Sequence, residues 1–278
     1  MKHRFSCIRF VMQLFILCLF ISSDLYSQGN LLVTPKRVVF SGPKRTEELN
    51  LANVGKDSAT FMISFIQIRM KDDGTFEKIT EPDSAQRFAD KYIRFYPRTV
   101  TLAPNESQTV KMQITKASEM LPGEYRSHLY FRAVPTGKPL GEKEPAADSL
   151  ISIKIVPVFG ISMPVIIRVG ETDAQIQLSK LALREGANGP ALDITFQRSG
   201  NMSVYGDVAV DHISSTGQST RVGNVNGLAV YSPNAKRQFR LALNPDKKID
   251  YHSGRLQVRY ADHSGKPRKL AESELILK

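Results

Sequence analysis

Tryptophan is absent from this 278-residue chain, and only two cysteines occur, Cys7 and Cys18. Lacking Trp, the chain has no copy of the commonest sugar-stacking side chain, which argues against a carbohydrate-binding module, although nine Tyr remain. Both cysteines lie near the N-terminus, so the rest of the chain cannot staple itself with disulfides. Its cores must stand alone, which favours full-sized domains. Catalytic signatures are missing too. No Ser sits in G-x-S-x-G, and no glycine-rich loop follows a strand and opens a helix. His128, His212, His252 and His263 show no zinc-type spacing. Asp72-Asp73 reads as part of a hairpin turn rather than an acid–base pair. An enzyme is not expected, and neither a cofactor nor a metal is called for.

What is present begins with a leader. Lys2, Arg4 and Arg9 precede the apolar run Phe10 to Ile21, and small polar residues follow to Ser27. This is the three-part layout of a secretory signal peptide, residues 1–27, too short to favour a spanning helix. Cleavage is expected after Ser27, with Ser23 the alternative. Cys18 follows Phe15-Ile16-Leu17, where a lipid-attachment site wants small residues, so no stable membrane anchor is expected. The formal charge is +11; the leader carries +2 of it, leaving +9. Lys and Arg are scattered singly along alternating stretches, without aromatic-studded basic runs, so nucleic acid is not an expected partner. A solvated basic surface, suited to acidic protein partners, is the plainer reading.

Beyond the leader, period-two alternation recurs with turn signals between the runs. Expected strands cover Leu31 to Phe40 (broken by Pro35), Thr46 to Val54, Ala59 to Met70, Tyr92 to Tyr96, Ser107 to Thr115 and Glu124 to Val134. Lys71-Asp72-Asp73-Gly74 supplies a hairpin turn. After a polar loop from Pro135 to Asp148 comes a longer apolar stretch. A second set follows: Ala174 to Leu183, Ala191 to Gln197, Val204 to His212, Leu228 to Tyr231, Arg237 to Leu243, Arg255 to Ala261 and Lys269 to Leu277. The fold class is therefore all-β, with two immunoglobulin-like β-sandwiches in tandem, residues 28–164 and 165–278. The Cys…Trp…Cys core of antibody domains is missing, so only the architecture carries over.

Ser149 to Arg168 stands out. Ile151, Ile153, Ile155, Phe159, Ile161 and Met163 share one row of an extended chain, and only Lys154 and Arg168 are charged. The run is longer than an ordinary strand. Pattern alone leaves open whether it is a buried central strand or an edge. Pro157, Lys154 and the preceding polar loop favour an edge. Soluble proteins usually blunt such edges because unpaired backbone groups recruit other strands.

Four stretches then resemble periplasmic pilus-assembly chaperones of the chaperone–usher class. They are Thr34-Pro35-Lys36-Arg37-Val38-Val39-Phe40, Asn50-Leu51-Ala52-Asn53-Val54-Gly55-Lys56, Tyr96 to Gln108 (Y-P-R-T-V-T-L-A-P-N-E-S-Q) and Gly123 to Pro135 (G-E-Y-R-S-H-L-Y-F-R-A-V-P). The last is closer to the divergent, archaic-type branch. The resemblance implies that the chain lends a strand to incomplete immunoglobulin-like pilus or fimbrial subunits and delivers them to an outer-membrane usher. The donor row would be Ile151, Ile153 and Ile155, with Leu150 or Val158 as neighbours. Each fully buried Ile or Val contributes about 1.5–3 kcal/mol. Phe159, Ile161 and Met163 would pack in the chain's own first domain, with Pro157 the hinge between the two jobs and Pro164 the handover to the second domain. The family also anchors the subunit's C-terminal carboxylate with a basic pair. Arg37 matches its first member. Phe159 stands where the Lys is expected, which leaves Lys154 as the nearby candidate. The resemblance further implies a periplasmic location, and the free edge could be capped by a second copy of the chain. A two-domain structural or adhesive surface protein is the alternative reading.

Overall fold

The computed structural model describes residues 31–135, 158–186, 189–246 and 249–277. Pro35 brings no N–H to a ladder, and the first apolar run divides there. β1 (Leu31–Thr34) and β2 (Val38–Phe40) lie in different sheets. The first unit continues with β3 (Thr46–Asn53), β4 (Ala59–Ile66), β5 (Ile68–Met70), β6 (Phe76–Lys78), β7 (Ile93–Tyr96), β8 (Thr99–Leu102), β9 (Ser107–Ile114), β10 (Gly123–Val134) and β11 (Gly160–Val169). β7 and β8 repeat the sheet switch across Tyr96–Pro97. One sheet is ordered β1-β3-β9-β7 and the other β2-β11-β10-β4-β8. This is the immunoglobulin-like order, with the first and fourth strands each divided between the sheets. Leu49, Leu51, Leu102, Met112, Leu129, Phe131 and Val165 fill the space between them.

The second unit comprises β12 (Ala174–Gly186), β13 (Gly189–Gly200), β14 (Val204–Ile213), β15 (Ser219–Val230), β16 (Lys236–Ala242), β17 (Arg255–Asp262) and β18 (Lys269–Ile276). Its sheets run β12-β13-β16 and β15-β14-β17-β18, again an immunoglobulin-like sandwich. Leu192, Phe196, Val210, Val230, Leu256, Val258 and Tyr260 form its core.

Three sequence expectations change. The run from Ala59 to Met70 is not one strand. It breaks at Gln67, and β5 leaves the main sheet to pair with β6 as a separate hairpin. β15 extends far upstream of Leu228, because the polar Ser219 to Gly227 looks like turn sequence although Val222 within it is buried. The handover at Pro164 falls inside β11, which stays paired with β10 as far as Gly123↔Val169. A proline is tolerated there because β2 joins the other edge only from Val38↔Val165 onward.

β10 ties the two units together. Tyr125, Ser127, Leu129 and Phe131 point into the first core; Glu124, Arg126 and His128 point the other way. All seven residues from Gly123 to Leu129 are nevertheless buried. The second unit covers the outer face, and Met70, Ile166, Ala229 and Tyr231 form an apolar cluster between the units.

Candidate functional site

The expected donor residues Leu150, Ile151, Ile153 and Ile155, the hinge at Pro157 and the basic candidate Lys154 lie outside the described residues. Val158 is described and exposed. Next to it, Phe159 is 56% and Ile161 39% exposed, whereas Met163 is buried. Only Met163 therefore packs in the first domain as expected. Ile161 stands opposite Phe131 on the core-facing side of the sheet, and Phe159 continues the same row. The row thus runs on past the end of the packed core. The Ala133 N–H donates to the Phe159 carbonyl at 3.0 Å, so one edge of this segment is paired. Among the described residues no strand pairs with Gly160 to Pro164 on the other edge. An apolar, half-paired strand end is the first component of the site.

The second component lies in the seam between the units. Arg37 sits just after the β1–β2 switch, and its guanidinium carbon lies 4.3 Å from the centre of the Tyr205 ring. Its Nε and Nη1 are buried and make no hydrogen bond among the described residues. Burial pulls its pKa below the usual value, with Arg168 adding to the shift. The parallel register of β2 and β11 sets Arg37 level with Pro164, well along the strand from Phe159. Arg168 is the basic residue of β11, and Glu124 engages it.

A second guanidinium comes instead from β10, one strand further. Arg126 is only 4% exposed, and its guanidinium carbon lies 4.2 Å from the Tyr231 ring centre. Its Nε and Nη1 are likewise buried without hydrogen bonds, while Nη2 donates a long bond of 3.4 Å to the Ser232 carbonyl. Desolvation lowers its pKa. Tyr231, buried beneath Arg126, has its phenol pKa raised by burial against the opposing pull of Arg37 and Arg126. His128, in the next outward position of β10, is pushed down to about 3 by burial and by the charge of Arg126, so it is neutral.

Glu124 is the nearby carboxylate, and it is already committed. Arg168 Nε donates to it at 3.2 Å and the Ser203 N–H at 2.9 Å, and the Ser203 hydroxyl bonds it as well. Arg168 also donates to the Ser203 carbonyl at 3.0 Å, closing a link between the units. The seam is left with a surplus of positive charge. An uncompensated buried charge is costly, and in-plane N–H donors facing no acceptor fit an oxyanion. Arg37 also lines a cleft of about 550 Å³ with Lys36, Tyr205, Asp262, His263 and Arg268, so part of its side chain borders open space although Nε and Nη1 are themselves buried. Arg126 lies deeper and adds its field from behind.

Of the residues in the seam, the sequence singled out Arg37 as a site residue and did not single out Arg126, Tyr205 or Tyr231. The one signal for Arg126 was its place in the row Glu124, Arg126, His128, polar residues opposite a core-facing row.

Fold and seam together define a two-domain all-β protein whose sandwiches meet over a buried cationic cleft. No family model matches the sequence, and no curated protein matches it. Among solved structures the chain is similar to the Pseudomonas aeruginosa CupB2 chaperone, with 15% identity, 89% of this chain and 100% of that chain covered, and a TM-score of 0.45. It is also similar to the CsuC–CsuE chaperone–tip adhesion subunit pre-assembly complex from archaic chaperone-usher Csu pili of Acinetobacter baumannii, with 13% identity, coverages of 88% and 97%, and a TM-score of 0.44. For the E. coli chaperone DraB the identity is 13%, the coverages 90% and 97%, and the TM-score 0.44.

Proposed function

We propose that the chain is a periplasmic chaperone of the chaperone–usher class. It binds incomplete immunoglobulin-like pilus subunits by lending them a strand and passes them to an outer-membrane usher. The observation that carries this reading is the upstream end of β11. There Ile161, and Phe159 just before the strand, stand exposed beside an edge that no strand pairs among the described residues, directly after the apolar run that holds Leu150, Ile151, Ile153 and Ile155. Such an end supports continuation into a partner's sheet, where main-chain bonds set register and alternate side chains fill a groove.

The cleft supports a second contact. Arg37 offers in-plane donors to a chain-terminal carboxylate, and a charge-assisted, bidentate pair is among the stronger polar contacts available. In this reading Arg126 replaces the expected Lys by reinforcing the field rather than by touching the ligand. Lys154 is not needed for the anchor. The leader sends the chain to the periplasm, and processing falls near Ser27.

Co-expression with candidate subunits, small secreted β-rich proteins sought in the same genetic neighbourhood, tests the proposal. A stable complex should purify from the periplasmic fraction, and Ile153→Asp should abolish it. If the complex survives that substitution, strand donation is wrong. A pool found at the cell surface instead would point to a structural or adhesive protein.

A further inference from the structure

Arg37 and Arg126 belong to the first unit, and the rings beneath them, Tyr205 and Tyr231, belong to the second. Tyr205, on β14, lies under Arg37. It is held in turn from behind. The His263 ring meets it edge-on with centroids 5.3 Å apart, and His263 Nδ1 lies 2.8 Å from an Asp207 carboxylate oxygen. That oxygen also accepts the Gly227 N–H at 2.7 Å. An arginine side chain loses rotamer freedom when it is fixed. A ring under the guanidinium restrains it through its face by a cation–π contact. The donors lie in the guanidinium plane, away from the ring face, and make no hydrogen bond among the described residues.

We infer that Tyr205 is a positioning residue for Arg37, so that the carboxylate anchor is assembled from both units and exists only while they are docked. The idea rests on the anchor reading given above for the cleft. It gives the second sandwich a direct part in ligand binding, though no group of that sandwich has to touch the carboxylate.

Nuclear magnetic resonance of the whole protein with isotope-labelled arginine separates the two claims. The Arg37 Nε–H signal is identified by its loss in Arg37→Lys. In the unmodified protein its heteronuclear NOE should be that of a rigid group, and acetate, but not acetamide, should shift it. Tyr205→Phe keeps the ring and should preserve both properties. Tyr205→Leu should collapse the NOE of this one side chain and weaken acetate binding about tenfold, with the backbone amide spectrum otherwise retained. His263→Ala, which removes the support behind the ring, should loosen Arg37 in the same direction, and it serves if the Leu variant does not fold. A rigid Arg37 in both Tyr205→Leu and His263→Ala, or a mobile one in Tyr205→Phe, overturns the inference. An Arg37 signal that acetate leaves unmoved in the unmodified protein overturns the anchor reading instead, while the NOE still decides the role of Tyr205.

Discussion

At the scale of the residue, burial of side chains that normally seek water is what separates the seam from ordinary surface. His128 shows the consequence most simply. It packs against Phe76 and Tyr231, and its pKa sits near 3 because of burial and Arg126. An unfolded histidine titrates near 6.5. Between those values the unfolded chain binds a proton that the folded chain refuses. Stability therefore rises with pH through that window and is lost as pH falls below about 6.5. The slope from one such group approaches about 1.4 kcal/mol per pH unit. His128→Phe keeps an aromatic ring in an aromatic site and removes the titration. Urea denaturation across pH 4 to 7 should show a shallower acid limb for that variant; an unchanged limb would assign the acid sensitivity elsewhere.

At the scale of the element, β10 and β11 are each two-faced, but in different ways. β10 is buried on both faces over its first half because a second unit lies on its outer side. β11 changes along its length, from a buried centre around Val165 to Ile167 to an exposed Ile161 near its start, with exposed Phe159 just before it. Substitutions at that end test what it is for. Phe159→Asp touches no packed core, so its effect on folding stability should stay within about 0.5 kcal/mol. Subunit co-purification should nonetheless fall sharply, because a charge would enter an apolar groove. Normal stability with undiminished capture would exclude this end of β11 from the contact. Strand positions were largely readable from period-two alternation, since a pleated strand with one face in a core imposes that period locally. The misreadings have local causes as well. Ser219 to Gly227 has too few apolar residues to announce a strand; its ladder partner β14 holds it in place. In Ala59 to Met70 the apolar row passes from Phe61, Ile63 and Phe65 to Ile66, Ile68 and Met70 on the other face; there β5 turns away, and Met70 joins the apolar cluster that holds Tyr231 of the other unit.

At the scale of the whole molecule, a buried carboxylate and a hairpin are prominent among the contacts that couple the two sandwiches. Glu124 joins Arg168 in the first unit to Ser203 in the second. The β5–β6 hairpin reaches across so that Asn234 Nδ2 donates to the Met70 carbonyl at 2.6 Å and Lys236 pairs with Asp72 at 2.9 Å. Removing the carboxylate would leave Arg168 as a third uncompensated cation in the seam. Glu124→Ala should cost about 3–5 kcal/mol, the usual penalty for stranding one partner of a buried pair. Calorimetry should then resolve two unfolding transitions where the unmodified protein shows one. A single transition at unchanged temperature would mean that the hairpin and apolar cluster alone hold the units together. The sequence by itself determined most of the strands, the all-β class and the presence of an apolar run longer than an ordinary strand, because each follows from alternation and turn chemistry among near neighbours. It also marked Arg37, through likeness of the residues around it. Only the tertiary structure decided that Arg126 is buried, that Tyr205 and Tyr231 lie beneath the two arginines, and that Glu124 is already engaged. Arg126 and its Ser232 partner stand 106 residues apart. Strand alternation places Arg126 on the face away from its own core, where a polar residue ordinarily meets water. Docking of a second domain turns that face inward, and no local pattern encodes it.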